Sequence, residues 1–166
     1  TKSITVMAKP LAAITSASTV TTGTQGLTAS VPSQTGCTYA WTLTGSGGSI
    51  TSGADASSCT YTAGAPGAAV LSCLVTSAGT PPSSSTGTKT ITIVAAPSSA
   101  ITVSRAIATT GQKGLKADVP IQAGCTIAWK ISNGTIASGG TTRAITFNVG
   151  TVGTTTLTCT VRNAAG

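Results

Sequence analysis

Five cysteines are the residues of this chain with the most usable chemistry, and four of them stand at repeated positions. Cys37 and Cys73 are 36 residues apart, and Cys125 and Cys159 are 34 apart, in two similar segments. This spacing predicts one disulfide in each segment, joining two strands. Closing a loop of about 35 residues would contribute roughly 3–4 kcal/mol, and disulfides are typical of oxidising compartments.

The fifth cysteine, Cys59, breaks the pattern because the second segment carries Ile145 at the equivalent position. It would either bridge to another molecule or fill a core as a small apolar side chain. Its alternation with Tyr61 favours burial as an unpaired thiol. Metal binding is the alternative role for the cysteines, but it would need further ligands, and the chain has no histidine and no Cys-x-x-Cys pair.

Other catalytic residue types are almost absent. The sequence has no histidine and no glutamate, and its two carboxylates, Asp55 and Asp118, fall in different repeats. This composition leaves no Ser-His-Asp triad, no pair of glycosidase carboxylates within one repeat and no acidic calcium loop. We therefore expect no catalytic residues, no metal site and no cofactor, and we expect that the protein is not an enzyme.

The formal net charge of +7 comes from nine Lys and Arg residues spread along the chain. They form no run and are not interleaved with aromatic residues, so nucleic-acid binding is not favoured. A weak attraction to polysaccharide or to the cell envelope fits the charge better. The low content of charged residues, 7%, and the abundance of Thr, Ser and Gly are typical of a secreted or surface-displayed β-protein. No apolar stretch is long enough for a membrane span.

An internal repeat organises the chain. Residues 21–41 and 109–129 are identical at 14 of 21 positions, and residues 1–10 (TKSITVMAKP) resemble residues 88–97 (TKTITIVAAP). The first ten residues therefore correspond to the last strand of a repeat and the linker after it. We expect residues 1–13 to be the final strand of a preceding or partner module plus a linker, residues 14–100 to be the first module, and residues 101–166 to be a second module without its own last strand.

Apolar and polar residues alternate along the predicted strands, and no stretch shows the helical period. Trp41 and Trp129 share the inward face with their neighbours two residues away, so each is expected in the core of its module. Short strands separated by Gly-rich turns, with one tryptophan in each copy, predict an all-β protein made of antiparallel β-sandwiches.

Three motifs recur in both copies: Tyr/Ile-x-Trp on a central strand, then Gly-Ser/Thr-Ile-x-Ser-Gly, then a late strand ending in Val-x-Ser/Asn-Ala. With these motifs the chain resembles the PKD-like and bacterial immunoglobulin-like modules of surface proteins. The resemblance covers essentially the whole chain. It implies tandem immunoglobulin-like (PKD-like) sandwiches and a location outside the cell or on its surface.

The repeat also suggests how the chain would assemble. If its ends are true ends, the second module exposes a strand edge, and the leading segment with Ile4 and Val6 has the sequence of the missing strand. One copy would then donate that strand to the next, building a filament, sheath or surface array head to tail. The alternatives are a covalent stalk segment of a large repeat adhesin or, less favoured, a glycan-binding accessory module of a secreted enzyme.

Overall fold

The computed structural model describes residues 1–3 and 9–166, so the predicted donor residues Ile4 and Val6 lie outside the described part of the chain. The described residues form strands and no helix, and the predicted all-β fold class is confirmed. The first eight strands are β1 (Thr15–Ser16), β2 (Thr19–Thr21), β3 (Leu27–Ser30), β4 (Cys37–Thr44), β5 (Ser49–Ser52), β6 (Ser58–Thr62), β7 (Gly67–Ser77) and β8 (Ser84–Val94). The remaining strands are β9 (Thr102–Val103), β10 (Leu115–Asp118), β11 (Thr126–Ser132), β12 (Gly134–Ser138), β13 (Ala144–Val149) and β14 (Thr156–Arg162).

The chain divides into two compact units, Thr1–Ala95 and Ala96–Gly166. The boundary lies five residues before the one expected from the repeat. The segment that was expected to be a linker also belongs to the first unit, because Pro10 and Ala12 are buried and the backbone of Leu11 is bonded to Gln34. The linker residues therefore pack against the unit that they lead into.

The first unit has two four-stranded sheets, with strand orders β1-β3-β6-β5 and β2-β8-β7-β4. Neighbouring strands are antiparallel, apart from the parallel pair of β2 and β8. The long strands β7 and β8 are aligned over most of their length, and β7 is paired on its other edge with β4. In the order of strands, β8 lies between β2 and β7.

Period-two alternation decides which side chains form the core of the first unit. Ala69, Leu71, Cys73 and Val75 on β7 are all 1% exposed or less, whereas the residues between them are half-buried or exposed. Burying one such aliphatic side chain contributes about 1.5–3 kcal/mol. Both sheets of the first unit supply residues to a single core cluster.

The predicted core tryptophans occupy equivalent places in the two units. Trp41 is 5% exposed and Trp129 is 6% exposed. The indole Nε1 of Trp41 donates to the carbonyl of Ala56 at 2.8 Å, and that of Trp129 donates to the carbonyl of Thr142 at 2.9 Å. Each buried indole is thus satisfied by the loop that leads into the facing sheet, which fixes the ring in one orientation.

The second unit repeats the first in part. Its sheet β12-β13-β10-β9 has the same order as β5-β6-β3-β1, and its pair β11-β14 matches β4-β7. Trp129 lies opposite Cys159 on β14, just as Trp41 lies opposite Cys73 on β7. Among the described residues of the second unit, no strand takes the places of β2 and β8.

The structure does not support the predicted disulfides Cys37–Cys73 and Cys125–Cys159, because the strand register keeps the two cysteines of each pair apart. Cys37 lies opposite Ser77, and Cys73 lies four positions further along the pair. Four residues of a strand span about 13 Å, whereas a disulfide requires Cα atoms within about 7 Å. The same register holds in the second unit. The alternation predicts that these four cysteines face inward. It does not specify how far along the sheet each residue lies, and a disulfide depends on both.

Gly87 on β8 packs closely against the entering segment, residues 9–13, which leads into the first unit. A Cβ atom at this position would overlap the backbone carbonyl oxygen of Ala12, so one of the two backbones would have to move. We expect Gly87→Ala to lower the free energy of unfolding of the first unit by about 1–3 kcal/mol in urea denaturation. Gly140→Ala is a control in the second unit, where the nearest atom to the added methyl is the Cγ2 of Ile136 at 3.9 Å, and it should leave the unfolding of the first unit unchanged. Equal stability of the two variants would contradict this packing.

Candidate functional site

Side-chain clusters suited to chemistry are not found in the described residues. No group of three or more His, Cys, Asp or Glu side chains there could hold a metal ion. Asp118 forms an ion pair with Arg143 at 3.4 Å, but both side chains are more than two-fifths exposed, where such pairs contribute little. The feature with functional potential is instead a strand edge of the second unit.

The strand β14 pairs with β11 along one edge, and no strand of the described residues pairs with its other edge. Its counterpart β7 is paired on both edges, with β4 and with β8. A strand edge with free N–H and C=O groups is a template for a further strand, whether from the same chain or from another molecule. This edge of β14 is the candidate site.

The inner face of β14 is less protected than that of β7. Leu71, Cys73 and Val75 are completely buried in the first unit. Leu157 and Val161, which are equivalent to Leu71 and Val75, are only half-buried, and Cys159 is 8% exposed. The lost burial is the apolar surface that an additional strand would cover.

A groove of about 840 Å³ lies beside this edge. Its wall includes residues 154–157 at the start of β14 and residues 105–110, while its apolar lining includes Leu115, Phe147 and Val149 on the other sheet. In the first unit, β8 lies between β2 and β7. Residues 107–109 are equivalent in sequence to β2, and residues 154–157 are equivalent to residues 68–71 of β7. The groove therefore has the position of residues 89–92 of β8, which pair with that part of β7 in the first unit.

The segment equivalent to β2 is also open. In the first unit Val20 is 4% exposed, and β8 is the strand with which β2 pairs. In the second unit residues 105–109 form no strand, Ala108, which is equivalent to Val20, is exposed, and the neighbouring Ile107 is 88% exposed. Val152, on the rim of the groove, is 92% exposed. One missing strand therefore leaves two segments without the partner that their counterparts have.

One glycine before β14 has the same backbone conformation as its paired counterpart in the first unit. Gly67 begins β7 with a φ of 142°, and its counterpart Gly153 has a φ of 136°. Residues other than glycine rarely adopt a φ in this positive range. Gly67 lies opposite Ile93 of β8, so the glycine conformation at residue 153 is compatible with a neighbouring strand in the same register.

A glutamine side chain in each unit forms two hydrogen bonds, here called the glutamine clamp, with the backbone of the segment that enters the unit. Gln34 accepts a hydrogen bond from the Leu11 amide and donates one to the Leu11 carbonyl, both at 2.8 Å. Gln122 does the same with Ser98, at 2.5 Å and 2.6 Å. The side-chain amide thus pairs with backbone as a strand would. The predictions missed this role, although both glutamines were among the identical positions of the repeat.

The thiols of Cys59, Cys73 and Cys159 are buried. Burial raises the pKa of Cys59, Cys73 and Cys159 above the ordinary thiol value, and a nearby Cys73 thiol raises that of Cys59 further. A raised pKa lowers the fraction of reactive thiolate at neutral pH. The placement of Cys59 agrees with its predicted burial. Cys37 and Cys125 are partly exposed.

Comparison with known proteins does not assign a family, since the sequence matches no protein-family model and no curated protein is similar enough to be counted as a relative. Within the described residues, no helix is long and apolar enough to cross a membrane.

The Gln34 clamp can be tested by amide hydrogen exchange. In Gln34→Ala the Leu11 amide loses its acceptor, and we expect it to exchange about fivefold faster, since one such hydrogen bond contributes about 1 kcal/mol. Gln25→Ala, which removes an exposed glutamine of the same unit, should leave the Leu11 amide unchanged. Unchanged exchange in Gln34→Ala would show that the bond does not hold the segment.

Proposed function

We propose that this protein is a structural, non-catalytic component of an extracellular filament, sheath or cell-surface array, and that it assembles by strand donation. The open edge of β14 in one copy would accept the leading segment of another copy. Each junction would be head to tail, and a contact of this type does not close on itself, so it extends into a fibre. The composition, rich in Thr, Ser and Gly, supports a place outside the cell.

The observation that carries the proposal is the difference between the two units at β7 and β14. The same inward positions are completely buried where β8 is present and partly open where no equivalent strand is present. The groove beside β14 is lined by the apolar side chains of Leu115, Phe147 and Val149 and by the start of that strand. Such a site fits an extended β-strand better than it fits a sugar, because it offers no exposed tryptophan platform.

The leading segment has the sequence that this groove requires. Residues 88–94 of β8 read TKTITIV, and residues 1–7 read TKSITVM. Ile91 lies opposite Ala69 and is fully buried. By this equivalence, Ile4 would lie opposite Thr155 and Val6 opposite Gly153, with both apolar side chains directed into the groove. The side chain of Thr5, equivalent to the exposed Thr92, would face solvent.

We further infer that each unit is an immunoglobulin-like sandwich. The strand orders β1-β3-β6-β5 and β2-β8-β7-β4 correspond to two facing antiparallel sheets in which the leading strand contributes to both. A buried tryptophan on the first long strand of the second sheet agrees with the same arrangement. This assignment supports the tandem module organisation that the motifs suggest.

A covalent stalk segment of a larger repeat protein is the second candidate. It is favoured by the way the two units are joined within this chain, where β8 completes the first unit and β9 begins the second within eight residues. In that case the strand beside β14 would come from residues that follow in the same polypeptide. The mass of the native chain separates the two candidates, since strand donation between copies requires a chain of about the 16.0 kDa of this sequence.

Two point variants of the leading segment test strand donation. We expect Ile4→Asp to abolish the assembly of purified protein, because the carboxylate would be buried in an apolar groove without a partner. Thr5→Asp adds the same charge one residue away, on the face expected to be exposed, and should assemble normally. Electron microscopy and sedimentation measure the outcome. Fibres formed by Ile4→Asp would contradict the proposal.

Appending a copy of residues 84–94 after Gly166, through a short Gly/Ser linker, tests the acceptor edge. We expect this variant to remain monomeric and its second unit to gain about 3 kcal/mol in free energy of unfolding, since one or two large apolar side chains become buried. The matched control appends the same residues with Ile91→Asp and Ile93→Asp in the copy. Assembly that continues in the complemented variant would show that the β14 edge is not the junction.

A further inference from the structure

Two buried thiols of the first unit come from different sheets. Cys59 lies on β6, in the sheet that contains β3, and Cys73 lies on β7, in the sheet that contains β8. Cys59 is 2% exposed and Cys73 is 0% exposed, and both belong to the same core cluster. Both side chains therefore point into the space between the sheets, unlike Cys37, which is only partly buried.

Trp41 connects the strand of Cys73 to the segment that leads into the strand of Cys59. It lies directly opposite Cys73 on the neighbouring strand. Its backbone N–H donates to the carbonyl of Ala54 and its indole Nε1 donates to that of Ala56, both at 2.8 Å. Residues 54 and 56 lead into β6, and Cys59 is the second residue of that strand. Trp41 thus ties the level of Cys73 to the beginning of the strand that carries Cys59.

Each thiol has one small cross-strand neighbour, whereas Trp41 lies on the other side of Cys73. On the neighbouring strands, Cys59 lies opposite Ala29, and Cys73 lies opposite Gly87. Neither neighbour has a side chain large enough to fill the gap between the sheets. The Cys73 thiol also acts electrostatically on Cys59, an effect that requires the two groups to lie close together.

We propose that Cys59 and Cys73 form a disulfide between the two sheets when the chain folds in the presence of a disulfide oxidant. With oxidised glutathione, one cysteine thiolate attacks a glutathione sulfur and releases one glutathione thiolate. The second cysteine thiolate then attacks the protein sulfur of the mixed disulfide and releases the other glutathione. Two protein thiols become one S–S bond, and one glutathione disulfide is reduced to two thiols.

Burial dictates when this bond forms. Both thiols are closed off from solvent in the folded unit, so a soluble disulfide does not reach them there. Oxidation accordingly occurs during folding, before the two sheets close over the sulfur atoms. The second unit cannot form the equivalent bond, because Ile145 stands in the place of Cys59 and Cys159 remains alone. The bond would stabilise only the first unit.

Refolding the full chain from denaturant with oxidised and reduced glutathione tests the proposal. A non-reduced proteolytic digest should contain a peptide pair linked through Cys59 and Cys73, and it should lose two hydrogen atoms in mass relative to the reduced pair. A digest in which these two cysteines are free, or in which either is linked to another cysteine, would overturn the proposal.

Thermal unfolding gives a second measurement. The loop closed by the bond has about 15 residues, so the oxidised first unit should melt roughly 10–20 °C above the reduced one. In Cys59→Ile, which installs the residue found at position 145, the melting temperature should be the same in both redox conditions. Cys37→Ser leaves the pair intact and should retain the shift. An equal shift in Cys59→Ile and in the unmodified chain would overturn the proposal.

Discussion

Backbone pairing is the constraint on which the rest of this structure depends. A strand inside a sheet must have its N–H and C=O groups bonded on both edges, and its inner side chains are buried only when neighbouring strands cover the core. The strand β7 meets both conditions through β4 and β8, and its inner residues are completely buried. In the described residues β14 is paired on one edge, and its inner residues are less buried than those of β7.

The loss of one strand affects more than the edge next to it. In the first unit β8 pairs with β2 as well as with β7, so it holds the beginning of the unit in place. Where no such strand is present, the equivalent of β2 is not a strand, and Ile107 is exposed to solvent. A donated strand would order this segment and cover the groove in one step, so both gains would contribute to the same junction.

The two buried tryptophans have the same contacts in both units, although β7 is paired with β8 and β14 has no equivalent partner among the described residues. Trp41 and Trp129 keep the same cross-strand partner position and the same type of indole hydrogen bond to the loop before the facing strand. The glutamine clamps on Leu11 and Ser98 are equally preserved. Each unit therefore has its own core and its own hydrogen bonds to the segment that enters it, and the second unit has both without an equivalent of β8. This independence is what allows a unit to fold with an edge left open for a partner.

The sequence by itself determined the all-β class, the repeat, the buried tryptophans and the segment that matches β8, because alternation and self-similarity are local properties of the chain. It did not determine the cysteine pairing, because alternation specifies a face of the sheet, whereas a disulfide also requires two residues at the same height. Only the tertiary structure placed Cys37 opposite Ser77 and directed Cys59 and Cys73 into one core. The groove beside β14 and the roles of Gln34 and Gln122 also depend on contacts between residues far apart in the chain, which local patterns do not record.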